Sequence, residues 1–143
     1  TIDNVKTKIQ ENDADEMQAA FLRVKLSVLD RWTAQRKEFA TLYNNLLDGY
    51  EIELPSVPDY ADPVWHLFVI RCSSRDSLLE WLKKSGIETG IHYPVAVHKL
   101  KCYEEYNKYK LPLSESLAET VLSLPISSSN YLLTSYQLKL CSN

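Results

Sequence analysis

Two of the three histidines of this 143-residue chain, His92 and His98, fall in one short stretch with Tyr93 and Cys102. An imidazole beside a phenol offers hydrogen-bond donors and acceptors, and a place to hold a proton. Cys102 lies four residues after His98. On a helix that spacing puts thiol and imidazole on one face, as a Cys-His nucleophile pair would need. Nothing in the sequence activates the thiol, so a plain helix contact is the preferred reading. His66 sits in an apolar run with no carboxylate or cysteine at metal spacing, and is read as a packed strand histidine. There is no GxSxG elbow and no HExxH motif. The three glycines leave no glycine-rich loop to cradle a phosphate. Cys72, Cys102 and Cys141 are odd in number, far apart and free of any CxxC pair, which suits reduced thiols in a cytoplasmic protein rather than a disulfide framework or zinc site. From the residues alone, no catalytic residue and no metal ligand is assigned.

The elements around this stretch must position it. Ser77 to Lys84 has the pattern of a short helix, and Gly86 stands where a left-handed C-cap belongs. Ile87, Thr89 and Ile91 then alternate with Glu88, Gly90 and His92, which is strand spacing. Tyr93-Pro94 ends the strand, because proline cannot continue a ladder. The stretch Gly86 to Pro94 therefore reads as helix stop, strand and a loop presenting His92 and Tyr93. Val64 to Cys72, rich in aromatic and β-branched residues, is expected as the central strand, and Tyr50 to Leu54 as a first strand. Val97 to Tyr109 carries Leu100, Tyr103 and Tyr106 at helical spacing among lysines, and reads as a solvated helix face. Ser114 to Leu122 is expected to be an amphipathic helix stopped by Leu124-Pro125, and Leu132 to Cys141 a last helix.

No glycine or proline interrupts Asp15 to Asp48, so one helix of about 50 Å is expected there, stopped by Gly49. Met17, Phe21, Val24 and Val28 mark its core stripe. Leu22, Leu26 and Leu29 lie to one side, an apolar face to be shared with a second copy of the chain. Residues 1–14 form a polar N-terminal arm, ordered by a partner if at all, and residues 15–143 a single domain. The expected class is α+β: a small mixed or antiparallel sheet packed by helices, with one long N-terminal helix. The formal net charge of −3 excludes binding to nucleic acid through a basic field. No apolar run approaches the ~20 residues of a membrane helix, and no signal segment is visible.

Four blocks resemble the C-terminal part of the DegT/DnrJ/EryC1/StrS sugar aminotransferases. Asp15 to Leu26 resembles their D-E-x-Q-A-A-x-L helix start, and Trp65 to Arg71 their H-L-F/Y-V strand. Gly86 to Pro94, followed by His98 and Tyr103, resembles their G-I-x-T-x-I-H-Y-P segment and its sequel. Leu122 to Pro125 matches L-S-L-P. The resemblance implies the small domain of a fold-type-I pyridoxal-phosphate enzyme that aminates nucleotide-linked sugars. It implies that His92, Tyr93 and His98 face the substrate or its diphosphate. The family's aldimine lysine has no counterpart among these residues, so no cofactor is expected to be bound by this chain alone and catalysis is expected to be incomplete. Glu11 and Asp13 stand where the family has an asparagine and an arginine, and Leu100 where it has a glutamine. The expected partners are a second copy through the long helix, a separate cofactor domain and a sugar nucleotide. The alternatives are a non-enzymatic oligomerisation module and one half of a split aminotransferase.

Overall fold

The computed structural model describes residues 16–127. The expectations for the arm of residues 1–14 and for a last helix at Leu132–Cys141 lie outside them. Helix α1 spans Glu16–Leu47. It stops where Gly49 adopts φ +84, as the sequence leads one to expect. Its 32 residues make a rod of about 48 Å, longer than the small domain it serves. Burial is therefore confined to one end: Phe39, Ala40 and Tyr43 are its buried residues. The expected core stripe is corrected here. Met17, Phe21 and Val24 are 64%, 61% and 69% exposed, while Leu26, Val28 and Leu29 are half-buried.

Strand β1 is Phe68–Arg71, shorter than the expected Val64–Cys72. Trp65, at φ +52, turns the chain just before it. The Trp65 ring packs 5.4 Å from that of Phe68, and Arg36 Nε donates to the Val64 carbonyl at 2.9 Å. That carbonyl is thus tied to α1 and not to a sheet. His66 is exposed and lies outside the strand, not packed within it. Helix α2 is Arg75–Lys84, and two 3-10 turns follow at Val97–Lys99 and Lys101–Tyr106. Helix α3 is Pro112–Thr120.

Strand β2, Val121–Leu124, replaces the expected end of the Ser114–Leu122 helix. It pairs antiparallel with β1, in the register Phe68↔Leu124 and Ile70↔Leu122. All four of its residues are buried, so no alternation distinguishes it from a helical end in the sequence. The expected strands at Tyr50–Leu54 and Ile87–Ile91 are each reduced to one antiparallel bridge, Glu53 to Arg71 and Gly90 to Ser123. The sheet is antiparallel, with these bridges flanking β1 and β2.

The core forms where α1, α2 and the sheet meet. Ala40, Tyr43, Phe68, Ile70, Leu82, Ile87, Leu122 and Leu124 make one cluster. Tyr43 and Phe68 rings lie 4.8 Å apart, and the Tyr43 hydroxyl donates to the Pro125 carbonyl at 2.7 Å. Burial pushes that hydroxyl's pKa well up, so it remains a donor.

Candidate functional site

Helix α2 hands the chain to the site. The Gly86 N–H donates to the Lys83 carbonyl at 3.0 Å and the Ile87 N–H to Leu82 at 2.9 Å, with Gly86 at φ +76. This is the glycine C-cap that the sequence leads one to expect. Buried Ile87 anchors the segment in the core. Gly90 then exchanges two backbone bonds with Ser123, at 3.0 and 2.7 Å, which fixes where the chain leaves the sheet.

Gly90 has a second task. A Cβ there would sit 2.7 Å from His92 Cε1, so only glycine lets the imidazole fold back over the backbone. In that position His92 Nδ1 lies 2.9 Å from Ser123 Oγ, hydrogen-bonded to it. Nε2 has no partner among the described residues. The His92–Tyr93 peptide is cis. The two rings meet edge to face at 5.9 Å, and Tyr93 is 76% exposed.

His98 is buried, in contrast with His92. Its Nε2 lies 3.0 Å from Glu115 Oε1. The same oxygen accepts the Leu111 N–H at 3.2 Å, while the Glu115 N–H donates to the Leu111 carbonyl at 3.0 Å. The second bond is the first i to i−4 bond of α3, and the first lets the Glu115 side chain satisfy the backbone N–H of the N-cap residue Leu111. The Leu111 N–H, then the His98 bond and the Lys99 charge, hold the Glu115 carboxyl below its usual range, against desolvation. Glu115 thereby locks the His98 ring to α3. The expected helical pairing of His98 with Cys102 does not occur. Leu100, at ψ 142, breaks the helix between them, and Cys102 is exposed while His98 is buried.

His92, Tyr93 and His98 come together on one open cavity of about 630 Å³. Tyr103, Tyr106 and Tyr109 line it as well, with Leu111 and Leu117 from the α3 side. Among the described residues no lysine, arginine, aspartate or glutamate is in its lining. The cavity offers both hydrogen-bonding side chains, from His92 and Tyr93, and the aromatic faces of Tyr103, Tyr106 and Tyr109. Sequence reasoning missed Ser123, Glu115 and the tyrosine wall. Ser123 lay in the L-S-L-P block without a role, and the tyrosines were read as a solvated face. Among the described residues no group of side chains can hold a metal ion, and no helix is long and apolar enough to cross a membrane. Cys72 and Cys102 are free thiols.

The profile of the DegT/DnrJ/EryC1/StrS aminotransferase family matches residues 11–132. The chain belongs to this aminotransferase family. It is 43% identical over 113 residues to dTDP-3-amino-3,6-dideoxy-alpha-D-galactopyranose transaminase of Aneurinibacillus thermoaerophilus, covering 79% of this chain and 31% of that protein. It is 45% identical over 124 residues to dTDP-3-amino-3,4,6-trideoxy-alpha-D-glucose transaminase of Streptomyces venezuelae, covering 85% of this chain and 33% of that protein. Among solved structures it resembles S. venezuelae DesV in complex with a ketimine intermediate, with a TM-score of 0.80 and 39% identity over 91% of this chain and 37% of that one. The chain thus spans about a third of the length of the relatives it matches.

The DegT/DnrJ/EryC1/StrS aminotransferases depend on pyridoxal phosphate. The cavity of this chain does not fit that cofactor. Among the described residues its lining has no lysine to take the cofactor's aldehyde.

Proposed function

We propose that residues 15–143 are the C-terminal small domain of a nucleotide-sugar aminotransferase, and that the cavity receives the sugar nucleotide. The observation that carries this reading is the convergence of His92, Tyr93 and His98 on one cavity wall. His92, with Nδ1 held by Ser123, presents Nε2 to a sugar hydroxyl or a phosphate oxygen. Tyr93, exposed beside it, offers a hydroxyl for the same purpose. His98 is a positioning residue, buried and fixed by Glu115, that shapes the wall. On this reading the 143 residues do not transaminate by themselves, because none of their lysines takes the aldimine role. The free Cys72 and Cys102 thiols suit a cytoplasmic setting.

Two measurements test this. Nuclear magnetic resonance titration of the chain with dTDP-glucose should shift signals of His92, Tyr93 and residues around them. Shifts confined to another face would refute the site. Incubation with pyridoxal phosphate, borohydride reduction and digestion should give only scattered labelling. A single stoichiometric pyridoxyl-lysine with turnover of an amino donor would refute the claim of incompleteness.

A second reading, an association module that pairs two copies through α1, rests on the exposure of Phe21 and Val24. Burying each is worth roughly 1.5–3 kcal/mol, and identical chains pair most readily about a two-fold axis. Sedimentation equilibrium at micromolar concentration should find a dimer that Phe21→Glu dissociates without unfolding. A strict monomer removes this reading.

A further inference from the structure

We propose that the tyrosine wall of the cavity is a nucleobase subsite, with Tyr106 as its central stacking ring. The inference rests on reading the cavity as a sugar-nucleotide site and goes beyond it, by assigning which part of the ligand lies where.

Tyr103, Tyr106 and Tyr109 are three residues apart, in a segment held by i to i+3 bonds. Tyr103 N–H donates to Leu100 at 2.8 Å, and Tyr109 N–H to Tyr106 at 3.0 Å. The 3-10 stretch Lys101–Tyr106 kinks at Tyr103 (φ −120, ψ 32) and Tyr109 follows in the next turn, so the three rings succeed one another along the segment without one regular helix. The ring geometry bears this out: Tyr103 and Tyr106 meet edge to face at 6.2 Å, and Tyr106 and Tyr109 lie 27° from parallel at 6.4 Å. Tyr106 touches both neighbours and is still 46% exposed.

The chemistry of the wall selects its occupant. The diphosphate needs cations or strong donors, and no lysine or arginine is among the described residues that line the cavity. The hexose needs hydrogen-bonding groups, which are concentrated in the imidazole and phenol of His92 and Tyr93. An uncharged planar ring needs an aromatic face, and the tyrosine column supplies one beside the apolar Leu111 and Leu117. Lys108 Nζ lies 5.5 Å from the Tyr109 ring centre, so a cation stands at the edge of the column. A nucleoside diphosphate bound with its base on Tyr106 would run from this edge toward His92.

The test titrates the chain with thymidine 5′-diphosphate and separately with glucose 1-phosphate, which has no base. Stacking should move the thymine methyl and H6 signals upfield. Tyr106→Leu should weaken thymidine diphosphate on the order of tenfold and abolish the upfield shift. Tyr106→Phe should keep both, and neither change should alter glucose 1-phosphate binding. Equal weakening of both ligands by Tyr106→Leu would place the sugar on the column and overturn the assignment. Unchanged thymidine diphosphate binding in Tyr106→Leu, with binding still lost in His92→Ala, would also overturn it while leaving the sugar-nucleotide site intact. Failure of the unaltered chain to bind either ligand would overturn both readings.

Discussion

Replacing Gly90 with alanine should displace His92 from its place over the backbone. The new Cβ would lie 2.7 Å from His92 Cε1, closer than carbon atoms pack, so the ring must swing away. Nδ1 then loses the 2.9 Å bond to Ser123 Oγ, and Ser123 is only 4% exposed. A buried hydroxyl left without a partner costs about 1–3 kcal/mol, while Gly→Ala at a compatible φ gains about 0.4–1 kcal/mol through the unfolded chain. The net loss expected is about 0–2.6 kcal/mol, with a mid-range value of ~1.3 kcal/mol. The background decides the sign. With Ser123→Ala already in place no hydroxyl remains to be orphaned, and exposed His92 can turn to water. There Gly90→Ala should be neutral or stabilising by up to about 1 kcal/mol. Urea denaturation of the four proteins measures the coupling, and the His92 ring signals report the displacement. Equal costs of Gly90→Ala in both backgrounds, or unmoved His92 signals, would refute the account of how the imidazole is held.

Other outcomes follow from the core and from the Glu115 lock. Tyr43→Phe should cost about 1–2 kcal/mol in urea denaturation, because the part-buried Pro125 carbonyl loses its 2.7 Å donor at the edge of the core; a cost within error would show that carbonyl solvated. The Glu115 carboxyl is held low in the folded chain, chiefly by the Leu111 N–H and then by His98, so its contribution is present above the unfolded carboxylate value and lost as pH falls through the lower folded value. Denaturation across that acid limb should therefore show a slope that Glu115→Gln flattens, and an unchanged slope would count against the lock. Thiol titration of the unfolded chain without reductant should count Cys72, Cys102 and Cys141 as three free thiols, and a count of one would reveal a bridge.

Local signals read directly from the sequence concern single elements. The glycine-free, proline-free run predicts α1, and Gly49 and Gly86 mark its stop and that of α2, because both depend on one residue's backbone freedom. The fold class and the family blocks are also legible, including the Gly86 to Pro94 segment and its His92–Tyr93 pair. Element type was misread where burial hides the periodicity. Val121 to Leu124 is buried on both faces and shows no alternation, so its place as the strand opposite β1 comes from pairing with residues some fifty positions earlier.

What the chain determined alone is thus which residues can turn, cap or stack. Which of them form the site was decided by tertiary contacts. Helical spacing suggested His98 with Cys102, but the break at Leu100 and the bond to Glu115 bury the histidine and leave the thiol outside. Spacing likewise gave no partner for His92. Ser123 becomes that partner only because the Gly90 bridge lays the segment along β2, 31 residues distant in sequence. Exposure of Phe21 and Val24 is decided the same way: among the described residues, α1 outruns the sheet and α2, and these side chains lie beyond that layer.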